Sequence, residues 1–417
     1  MTTSPFTLEA LSEKLDQLAT FTAPGPGVTR LVYDEHWCDA HLWLQAEARA
    51  LGLAATCDAI GNLWLHDPGL MPGTRVIAVG SHLDSVRQGG RFDGAYGTIA
   101  ALLLAAELRG SATPVAAFVT CEEEGSRFPM ALTGVRGLLG QLVPSRCADQ
   151  RDRDGVRWAD ALASARARGC AAEAPPDGAP VPKLFNAARQ LELHIEQGPV
   201  LESMGAKLGV VDTIAGYRRV RARLTGEARH AGTTPMDRRR DALAAAAEIV
   251  LAAEALGLET GAPAVATAGG ASAEPGLYNV VPGTATLLLE VRHTDDAALV
   301  RMEAALGERA RAIAARRGVA IELEVQSGEA ATPLSAALAD QAEAMAAGMA
   351  IPYRRMASGA GHDTMAFAQD GVPALMLFTP SRLGISHHPD ELTKVRDLWV
   401  AAAFARELLL AWAKDLA

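Results

Sequence analysis

Histidine and carboxylate residues follow short apolar runs at several points along the chain. Five such places stand out: His82 with Asp84, Asp93, Glu123 with Glu124, His194, and His387. A hydrolytic site that holds two metal ions needs nitrogen and oxygen ligands on each ion and a carboxylate that bridges them. It also needs a spare carboxylate beside the attacking water, to act as a general base. The residue types at these places meet both needs, so the sequence predicts a dinuclear metal site.

Each of these residues also has a plainer interpretation. A single histidine is more often a structural residue than a ligand, and a run of glutamates is usually a solvated surface. The run Glu122-Glu123-Glu124, however, follows directly on the apolar stretch 115–121, which is an unusual place for a surface patch. Imidazole and carboxylate together suit zinc, manganese, cobalt or nickel, and the sequence leaves the choice among these metals open.

The apolar runs themselves predict buried β-strands whose ends position these side chains. The run 75–80 leads into His82, a helical stretch extends to about Leu108, and the run 115–121 leads into the glutamates. A strand, a loop, a helix and a further strand that ends in charged residues is the pattern of an α/β sheet. Ligands of such sheets bind outside the carboxyl ends of the strands. We therefore expect the candidate ligands to meet at one edge of the sheet.

The pattern changes after about residue 213. Strand-like runs alternate with two helical stretches, in the order 220–224, 241–256 (helix), 264–268, 284–291, 296–317 (helix) and 319–325. The order βαββαβ is that of a ferredoxin-like unit. We therefore predict an α/β fold in which a catalytic domain, residues 1–212 and 327–417, has a mixed sheet flanked by helices. A ferredoxin-like α+β domain at 213–326 is inserted into it, as a lid and dimerisation domain.

Composition argues against several classes of protein. The net charge is −10 and the sequence pI about 5.5, whereas nucleic-acid binders carry basic faces. The 5 cysteines show no CxxC spacing, which is typical of reduced thiols in the cytoplasm. Residues 1–24 lack the basic start and apolar core of a signal peptide, and no apolar stretch reaches the roughly 20 residues that span a bilayer. We expect a cytoplasmic protein that binds neither nucleic acid nor a membrane.

Seven sequence motifs resemble those of the M20 metallopeptidase superfamily, and within it the hydantoinase/carbamoylase amidase branch. In chain order they are Gly80-Ser81-His82-Leu83-Asp84-Ser85, Gly89-Gly90-Arg91-Phe92-Asp93-Gly94, Glu123-Glu124-Gly125-Ser126-Arg127-Phe128, Glu192-Leu193-His194-Ile195-Glu196-Gln197-Gly198-Pro199, His230-Ala231-Gly232-Thr233-Thr234-Pro235-Met236, Ser358-Gly359-Ala360-Gly361-His362-Asp363, and Gly384-Ile385-Ser386-His387. They span nearly the whole chain. The branch contains N-carbamoyl-L-amino-acid hydrolases, β-ureidopropionases and allantoate amidohydrolases. The resemblance therefore implies a metal-dependent amidohydrolase.

The resemblance assigns metal ligands by position, in two sets that share a bridging carboxylate: His82, Asp93 and His194 for one ion, and Asp93, Glu124 and His387 for the other. It implies two divalent ions per subunit, zinc or else manganese, cobalt or nickel. Other members of the superfamily often have a carboxylate where this chain has His194. This histidine therefore favours a carbamoylase-like enzyme over an ordinary M20 peptidase. By the same resemblance, the peptide bond between Asp93 and Gly94 is expected to be cis.

Catalytic and substrate-binding roles also follow from the resemblance. Glu123 would be the general base that takes a proton from the bridging water and delivers it to the leaving nitrogen, and Asp84 would orient His82. His230 of the inserted domain would stabilise the oxyanion, and in the resembling homodimers this histidine reaches the partner's active site. Arg292 would grip the substrate carboxylate, as a bidentate guanidinium can. Further substrate contacts are expected from Gln197, Asn279, Gly359 and Gly361.

Some assignments stay open at this level. Arg292 has a rival interpretation as a surface ion-pair residue, and Asn279 as part of a turn. His362 could serve the site or only the fold, and His388 stands beside the favoured ligand where relatives commonly carry Asn. Arg229 places a positive charge beside the presumed oxyanion histidine, which leaves the substrate preference open.

The implied reaction is hydrolysis of an N-carbamoyl amino acid to the free amino acid, CO₂ and ammonia. Allantoate hydrolysis in purine breakdown is the alternative, because allantoate also joins a ureido group to a carboxylate. His194 disfavours an exopeptidase or N-acyl deacylase. A metal-free binding protein is disfavoured because every expected ligand and Glu123 are present. The expected partners are a small ureido carboxylate and a second copy of the chain.

Overall fold

The computed structural model describes residues 4–417, so the first three residues of the predicted domain 1–212 lie outside the described residues. The chain divides into two compact units. The first comprises the described residues up to Asp212 together with Leu334–Met356 and His362–Ala417. The second comprises Thr213–Pro333 and Ala357–Gly361.

Helices and strands alternate along most of the described chain. The helices are α1 (Leu8–Leu18), α2 (Glu35–Ala50), α3 (Ala95–Glu107), α4 (Thr133–Leu138), α5 (Pro144–Cys147), α6 (Trp158–Ala167), α7 (Val200–Met204), α8 (Ala242–Thr260), α9 (Asp296–Arg317), α10 (Ala336–Gly348), α11 (Asp363–Gln369) and α12 (Val395–Asp415), with 3-10 turns at Met236–Arg238 and Arg382–Gly384. The strands are β1 (Ala54–Cys57), β2 (Leu63–His66), β3 (Arg75–His82), β4 (Val115–Thr120), β5 (Asn186–Ile195), β6 (Leu208–Ile214), β7 (Gly216–Thr225), β8 (Arg229–His230), β9 (Val265–Glu274), β10 (Val280–Val281), β11 (Thr284–His293), β12 (Ala320–Glu329), β13 (Thr332–Pro333), β14 (Tyr353–Ser358) and β15 (Ala374–Thr379).

The first unit is built on a mixed sheet with the strand order β1-β2-β4-β3-β5-β15-β6, and β14 also pairs with β6. The central strands β4, β3, β5 and β15 run parallel, whereas β1, β2 and β6 pair antiparallel with their neighbours. All six residues of β4 and nearly all of β3 are buried, as expected for strands covered on both faces. The predicted α/β fold with a mixed sheet flanked by helices is confirmed.

Helix α3 is the central helix of this unit, and it packs against β3, β4 and β5. It is buried along almost its whole length and accordingly has apolar residues on every side rather than on one stripe. In the pairing of the parallel strands, His82 at the end of β3 lies opposite Thr120 at the end of β4. The carboxyl ends of these strands therefore lie at the same edge of the sheet, and the candidate ligands follow them.

The second unit has a four-stranded antiparallel sheet in the order β12-β7-β11-β9, with helices α8 and α9 packed on it. This is the βαββαβ arrangement of a ferredoxin-like unit. Strand β7 alternates between buried Val220, Ala222 and Leu224 and exposed arginines, so one face of the sheet is apolar and meets the helices. Asp241 and Asp295 cap the two helices by accepting hydrogen bonds from backbone amides in the first turns.

Within residues 4–417, none of the helices combines the length and the apolar character that crossing a membrane requires.

Candidate metal centre

Strand ends and the loops that follow them bring the predicted ligands together in the first unit. His82 is the last residue of β3, His194 lies one residue before the end of β5, and Glu124 follows β4. Asp93 comes from the loop before α3, and His387 from a turn after β15. Five residues that are up to about 300 positions apart in sequence thus share one site.

Asp93 lies at the centre of this group, and its two carboxylate oxygens face different histidines. Oδ1 is 3.4 Å from Nε2 of His82 and 3.1 Å from Nε2 of His194. Oδ2 is 3.1 Å from Nε2 of His387, which is itself 3.6 Å from Oε1 of Glu124. The five residues therefore form two sets of possible ligands that share Asp93, in the same division that the sequence motifs imply.

The donor atoms fit divalent cations. An ion with tetrahedral ligands at about 2.1 Å separates its ligand atoms by roughly 3.4 Å, which is close to the distances around Asp93. Oε1 of Glu124 is buried, and within residues 4–417 it has no hydrogen-bond partner. A buried carboxylate oxygen without a donor is costly unless a cation faces it. Imidazole nitrogens and carboxylate oxygens are also the atoms that such metals prefer.

The histidines present the ring nitrogen that a metal requires. In both His82 and His194, Nδ1 lies within hydrogen-bond distance of a backbone carbonyl, that of Asp84 at 3.0 Å and that of Ile195 at 2.9 Å. Because a carbonyl only accepts, each Nδ1 carries a proton, which leaves Nε2 as the nitrogen available to a metal. Both Nε2 atoms face Asp93.

Burial dominates the electrostatics of the site. It raises the pKa of Glu124 to about 7, with the charge of Asp93 adding to the effect. It also raises the pKa of Glu123 well above its ordinary value, and Glu124 and Asp363 add to that effect. Burial would raise the pKa of Asp93 too, but hydrogen bonds to His194, His387 and His82 outweigh it and hold this pKa well below the usual range. A cluster of buried carboxylates of this kind favours bound cations.

Glu123, the predicted general base, lies at the edge of the metal groups. It is buried, and its carboxylate lies within 4.8 Å of ligand atoms of His82 and Glu124. The carboxylate of Asp84 accepts hydrogen bonds from the backbone amides of Glu123 (3.0 Å) and Glu124 (3.2 Å). Asp84 thus anchors both glutamates, in addition to lying 3.5 Å from Nδ1 of His82.

Gln197 lies among the metal groups. Its Nε2 donates to Oδ2 of Asp93 at 2.9 Å and is 3.4 Å from Nε2 of His387. Its Oε1 is buried and accepts no hydrogen bond within the described residues. This oxygen is therefore an acceptor that a ligand with an N–H group would satisfy.

The remaining predicted substrate and catalytic residues belong to the second unit. His230 and Asn279 are neighbours there: β8 pairs with β10, and the amide of Ala231 donates to the carbonyl of Asn279. The exposed His230 ring accepts at Nδ1 from the amides of Gly232 and Thr233, so Nε2 carries its proton and can donate.

Arg292 lies at the end of β11 and donates from Nη1 to the carbonyl of Gly359 at 2.8 Å. Its Nε contacts Glu290 at 2.6 Å. Gly361 follows in the same loop and is half-buried. Arg292 and Gly359 are thus brought together, although they come from distant motifs.

The structure also places His362, His388 and Arg229, three of the residues whose roles the sequence leaves open. His362 is buried, with its ring 4.6 Å from that of His194 and 5.7 Å from that of Phe378 between centroids. His388 is exposed, and its contact is with Asp390. The charge of Arg229 is balanced by Glu227, which accepts from its Nε at 2.8 Å.

Three supporting residues escaped the sequence reasoning. Glu391 accepts from the backbone amide of Asp93, Ser386 donates to Glu391, and Glu192 accepts from Ser81 and Thr364. Glu192 and Ser386 lie inside recognised motifs, two residues and one residue before predicted ligands. Glu391 follows the last motif and carries no signal of its own in the sequence.

The expected cis peptide between Asp93 and Gly94 is wrong for this structure. The cis bonds among residues 4–417 precede prolines, at Ala262–Pro263 and Glu274–Pro275. Gly94 instead turns the chain with a positive φ of 63°, which a glycine adopts without steric cost.

Comparisons with known proteins agree on one family. Residues 78–411 match the sequence model of peptidase family M20/M25/M40. The chain is 36% identical over 413 residues to the allantoate amidohydrolase of Escherichia coli (strain K12), which covers 97% of this chain and 98% of that protein. It is 35% identical over 406 residues to an N-carbamoyl-L-amino-acid amidohydrolase of Paenarthrobacter aurescens, covering 95% of this chain and 96% of that protein.

A solved structure has the same fold. A hydantoinase/carbamoylase family amidase from Burkholderia multivorans superimposes with a TM-score of 0.85 at 32% sequence identity, covering 98% of both chains. The similarity therefore extends over both units of the chain and is not confined to the metal groups.

Proposed function

The chain belongs to peptidase family M20/M25/M40 and is a hydrolase of C–N bonds, and from this premise we propose that it hydrolyses the ureido group of a small carboxylate. The preferred substrate class is an N-carbamoyl amino acid, which would yield the free amino acid, CO₂ and ammonia. The observation that carries the proposal is His194, whose Nε2 lies 3.1 Å from the bridging Asp93. A histidine at this position is what the carbamoylase branch has in place of a carboxylate.

We propose that two divalent ions, zinc in the first instance, are held by the two ligand sets that share Asp93. When bound, such ions polarise the scissile carbonyl and lower the pKa of water. The ligand atoms are neutral imidazoles and carboxylates, and the buried Oε1 of Glu124 has no other partner within residues 4–417. Manganese, cobalt or nickel would suit the same donors.

In the proposed reaction Glu123 moves the protons. Its buried carboxylate takes a proton from the attacking water as the water oxygen bonds to the ureido carbon. The same carboxyl then gives that proton to the leaving nitrogen as the C–N bond breaks. Asp84 contributes by fixing the backbone of Glu123 through the hydrogen bond at 3.0 Å. The overall change is RNHCONH₂ + H₂O → RNH₂ + CO₂ + NH₃.

Arg292 and His230 are proposed to bind the substrate and its developing charge. Arg292 holds Glu290 and Gly359 through two of its nitrogens, which leaves Nη2, within the described part of the chain, as the donor for a substrate carboxylate. His230 carries its proton on Nε2, the form needed to donate to an oxyanion. Asn279 and Gln197 are proposed as further polar contacts.

Allantoate is the second candidate substrate, since the chain is 36% identical to the E. coli allantoate amidohydrolase. Its identity to the N-carbamoyl-L-amino-acid amidohydrolase is 35%, so identity does not separate the two. Both substrates attach a ureido nitrogen to a carbon that bears a carboxylate. The same residues would therefore serve either one.

We also propose a cytoplasmic homodimer. The described cysteines are all free thiols, as is usual in a reducing compartment. The second unit exposes large apolar side chains, among them Leu251 and Leu258 of α8, which a second copy would cover. Light scattering at several protein concentrations tests the dimer.

Ammonia release from a substrate panel tests the function. The zinc-loaded protein is assayed with N-carbamoyl-L-amino acids, N-carbamoyl-β-alanine, allantoate, N-acetyl amino acids and dipeptides. Turnover of an N-carbamoyl-L-amino acid supports the preferred substrate, and turnover of allantoate alone supports the second. Amine release from dipeptides or acyl amino acids, without reaction of any ureido compound, would show that His194 does not define the chemistry.

A further inference from the structure

We infer that Glu391 is a positioning residue that fastens the bridging Asp93 to the turn carrying His387 and thereby builds one of the two metal positions. The inference rests on the proposed metal centre. It concerns chiefly the set Asp93, Glu124 and His387, because His387 belongs to this set alone, whereas Asp93 is shared with His82 and His194.

One carboxylate oxygen of Glu391 holds the loop that carries Asp93. Oε1 accepts from the backbone amide of Phe92 at 2.9 Å and from that of Asp93 at 3.2 Å. The loop wraps the carboxylate closely: a Cβ added to Gly90 would lie 1.9 Å from Cδ of Glu391. Glu391 is 4% exposed, so water does not compete for these hydrogen bonds.

The other oxygen holds the turn that carries His387. Oε2 of Glu391 accepts from the hydroxyl of Ser386 at 2.7 Å, and the Ser386 hydroxyl is also 3.3 Å from Oδ2 of Asp93. The amide of Glu391 itself donates to the carbonyl of His388 at 3.0 Å. One buried side chain therefore connects the residues before the bridging carboxylate with the residues around the ligand His387.

The position of His387 depends on this contact more than the positions of the histidines in β-strands do. His387 has a positive φ of 53°, which is an unfavourable conformation for a residue with a side chain, and its ring is 49% exposed. His82 and His194, by contrast, lie within paired strands, His82 opposite Thr120 of β4 and His194 opposite Phe378 of β15, and this pairing fixes their positions. Loss of Glu391 should therefore release His387 while the strand-borne histidines stay in place.

The experiment compares zinc affinities of the intact chain and of Glu391 variants. Each protein is equilibrated with zinc at graded free concentrations set by a competing chelator, and bound zinc is measured by elemental analysis. In Glu391→Ala we expect the first site, with His82 and His194, to keep its zinc affinity within about threefold, because strand pairing still holds both histidines. The second site, with His387, should weaken about 10–100-fold, the usual effect of removing a residue that holds a metal ligand in place. Glu391→Gln should restore the second affinity to within about threefold, because its carbonyl oxygen can accept from both amides.

The matched control is Asp34→Ala. Asp34 also accepts two backbone hydrogen bonds, from Leu31 and Trp37, but it caps α2 and is outside the metal groups. This variant should lower the melting temperature and keep both zinc affinities. Ser386→Ala removes the hydroxyl that joins Glu391 to the turn and also contacts Asp93. It should weaken the second site more than the first, and it serves if Glu391→Ala does not fold.

The outcomes separate this inference from the proposed function. Equal weakening of both sites, no weakening, or the same weakening in Asp34→Ala would overturn the positioning role. A wild-type protein that binds fewer than two zinc ions would overturn both the metal centre and this inference. Two zinc ions without turnover of any ureido compound would overturn the proposed substrate class and leave the role of Glu391 supported.

Discussion

Replacing Glu123 by glutamine isolates the proton-transfer role from every other property of the site. Glutamine has nearly the same shape, and the hydrogen bond from residue 123 to Asp84 is donated by the backbone, so it survives the change. The proposed ligands Glu124, Asp93 and His82 are untouched. A carboxamide, however, cannot take a proton from water near neutral pH. We therefore expect the loss of a general base and nothing else.

The expected size follows from what general bases contribute. Their removal costs about 10²–10⁴-fold in kcat, or about 3–5 kcal/mol of transition-state stabilisation. Stability should not fall, since Glu123 is a buried carboxylate whose pKa is raised by burial, and a neutral amide is easier to bury. Zinc content should stay at the wild-type value. The assay is steady-state ammonia release alongside elemental analysis and thermal unfolding of the same samples.

Glu122→Gln is the matched control. Glu122 is the preceding residue, is buried, and accepts from the amide of Phe128 at 3.2 Å, but it belongs to none of the metal groups found among the described residues. This variant should keep kcat within about threefold. If Glu123→Gln retained more than a tenth of wild-type kcat, the base would have to be another group. If it lost zinc, Glu123 would be a ligand.

Three further expectations concern other parts of the molecule. Arg292→Lys should raise KM for a ureido carboxylate about 10–100-fold, because the substrate loses the Nη2 donor of the planar guanidinium. Arg219→Lys, a change at the other arginine bonded to Glu290, should leave KM unchanged, and equal effects of the two changes would argue against substrate contact. If His230 acts in the partner's site, mixing inactive His230→Ala and Glu123→Gln subunits should restore about one quarter of wild-type activity. The reason is that half of the random dimers combine the two variants, and each of these dimers has one intact site of two. No recovery of activity would mean that His230 acts within its own chain. Burial lowers the pKa of His41 to about 3, so between pH 6.5 and 3 the unfolded chain takes up a proton at this residue and the folded chain does not. The free energy of unfolding should therefore fall by about 1.4 kcal/mol per pH unit in this range, relative to that of His41→Gln. Urea midpoints that change with pH in the same way in both proteins would contradict this.

The sequence was informative wherever a feature is local in the chain. Apolar runs followed by charged residues predict strand ends, and the parallel register of β3 with β4 then brings His82 near Glu124. The βαββαβ order could be predicted from periodicity for the same reason. Motifs supplied the candidate ligands, and the structure gathers all five into two groups that could hold a metal ion.

Contacts that depend on distant parts of the chain could not be predicted. Glu391 and Phe92 are 299 positions apart, and no periodicity connects them. The carboxylate of Asp84, which is expected to orient His82 and lies 3.5 Å from its Nδ1, also accepts hydrogen bonds from the amides of Glu123 and Glu124, 39 and 40 positions away. The sequence does not predict these two hydrogen bonds. The trans peptide after Asp93 likewise depends on how the loop is held, which a motif does not specify.

Both proposed metal positions depend on carboxylates that each contact more than one functional group. Asp93 faces His82 and His194 with one oxygen and His387 with the other. Asp84 lies beside His82 and also anchors the backbone of Glu123 and Glu124.

A substitution at Asp84 or Asp93 therefore displaces several functional groups at once. Residues that share a hydrogen-bond network do not act additively, so the losses of activity from single substitutions at Asp84 and Asp93 do not sum to the loss from changing both. Glu123 and Glu391 differ from them in this respect. The side chain of Glu123 holds no backbone amide within the described residues. Glu391 does hold the amide of the shared Asp93, but the turn that it anchors carries His387, which belongs to one ligand set alone. Substitutions at these two residues can therefore separate chemistry from metal binding, which changes at the shared carboxylates cannot do.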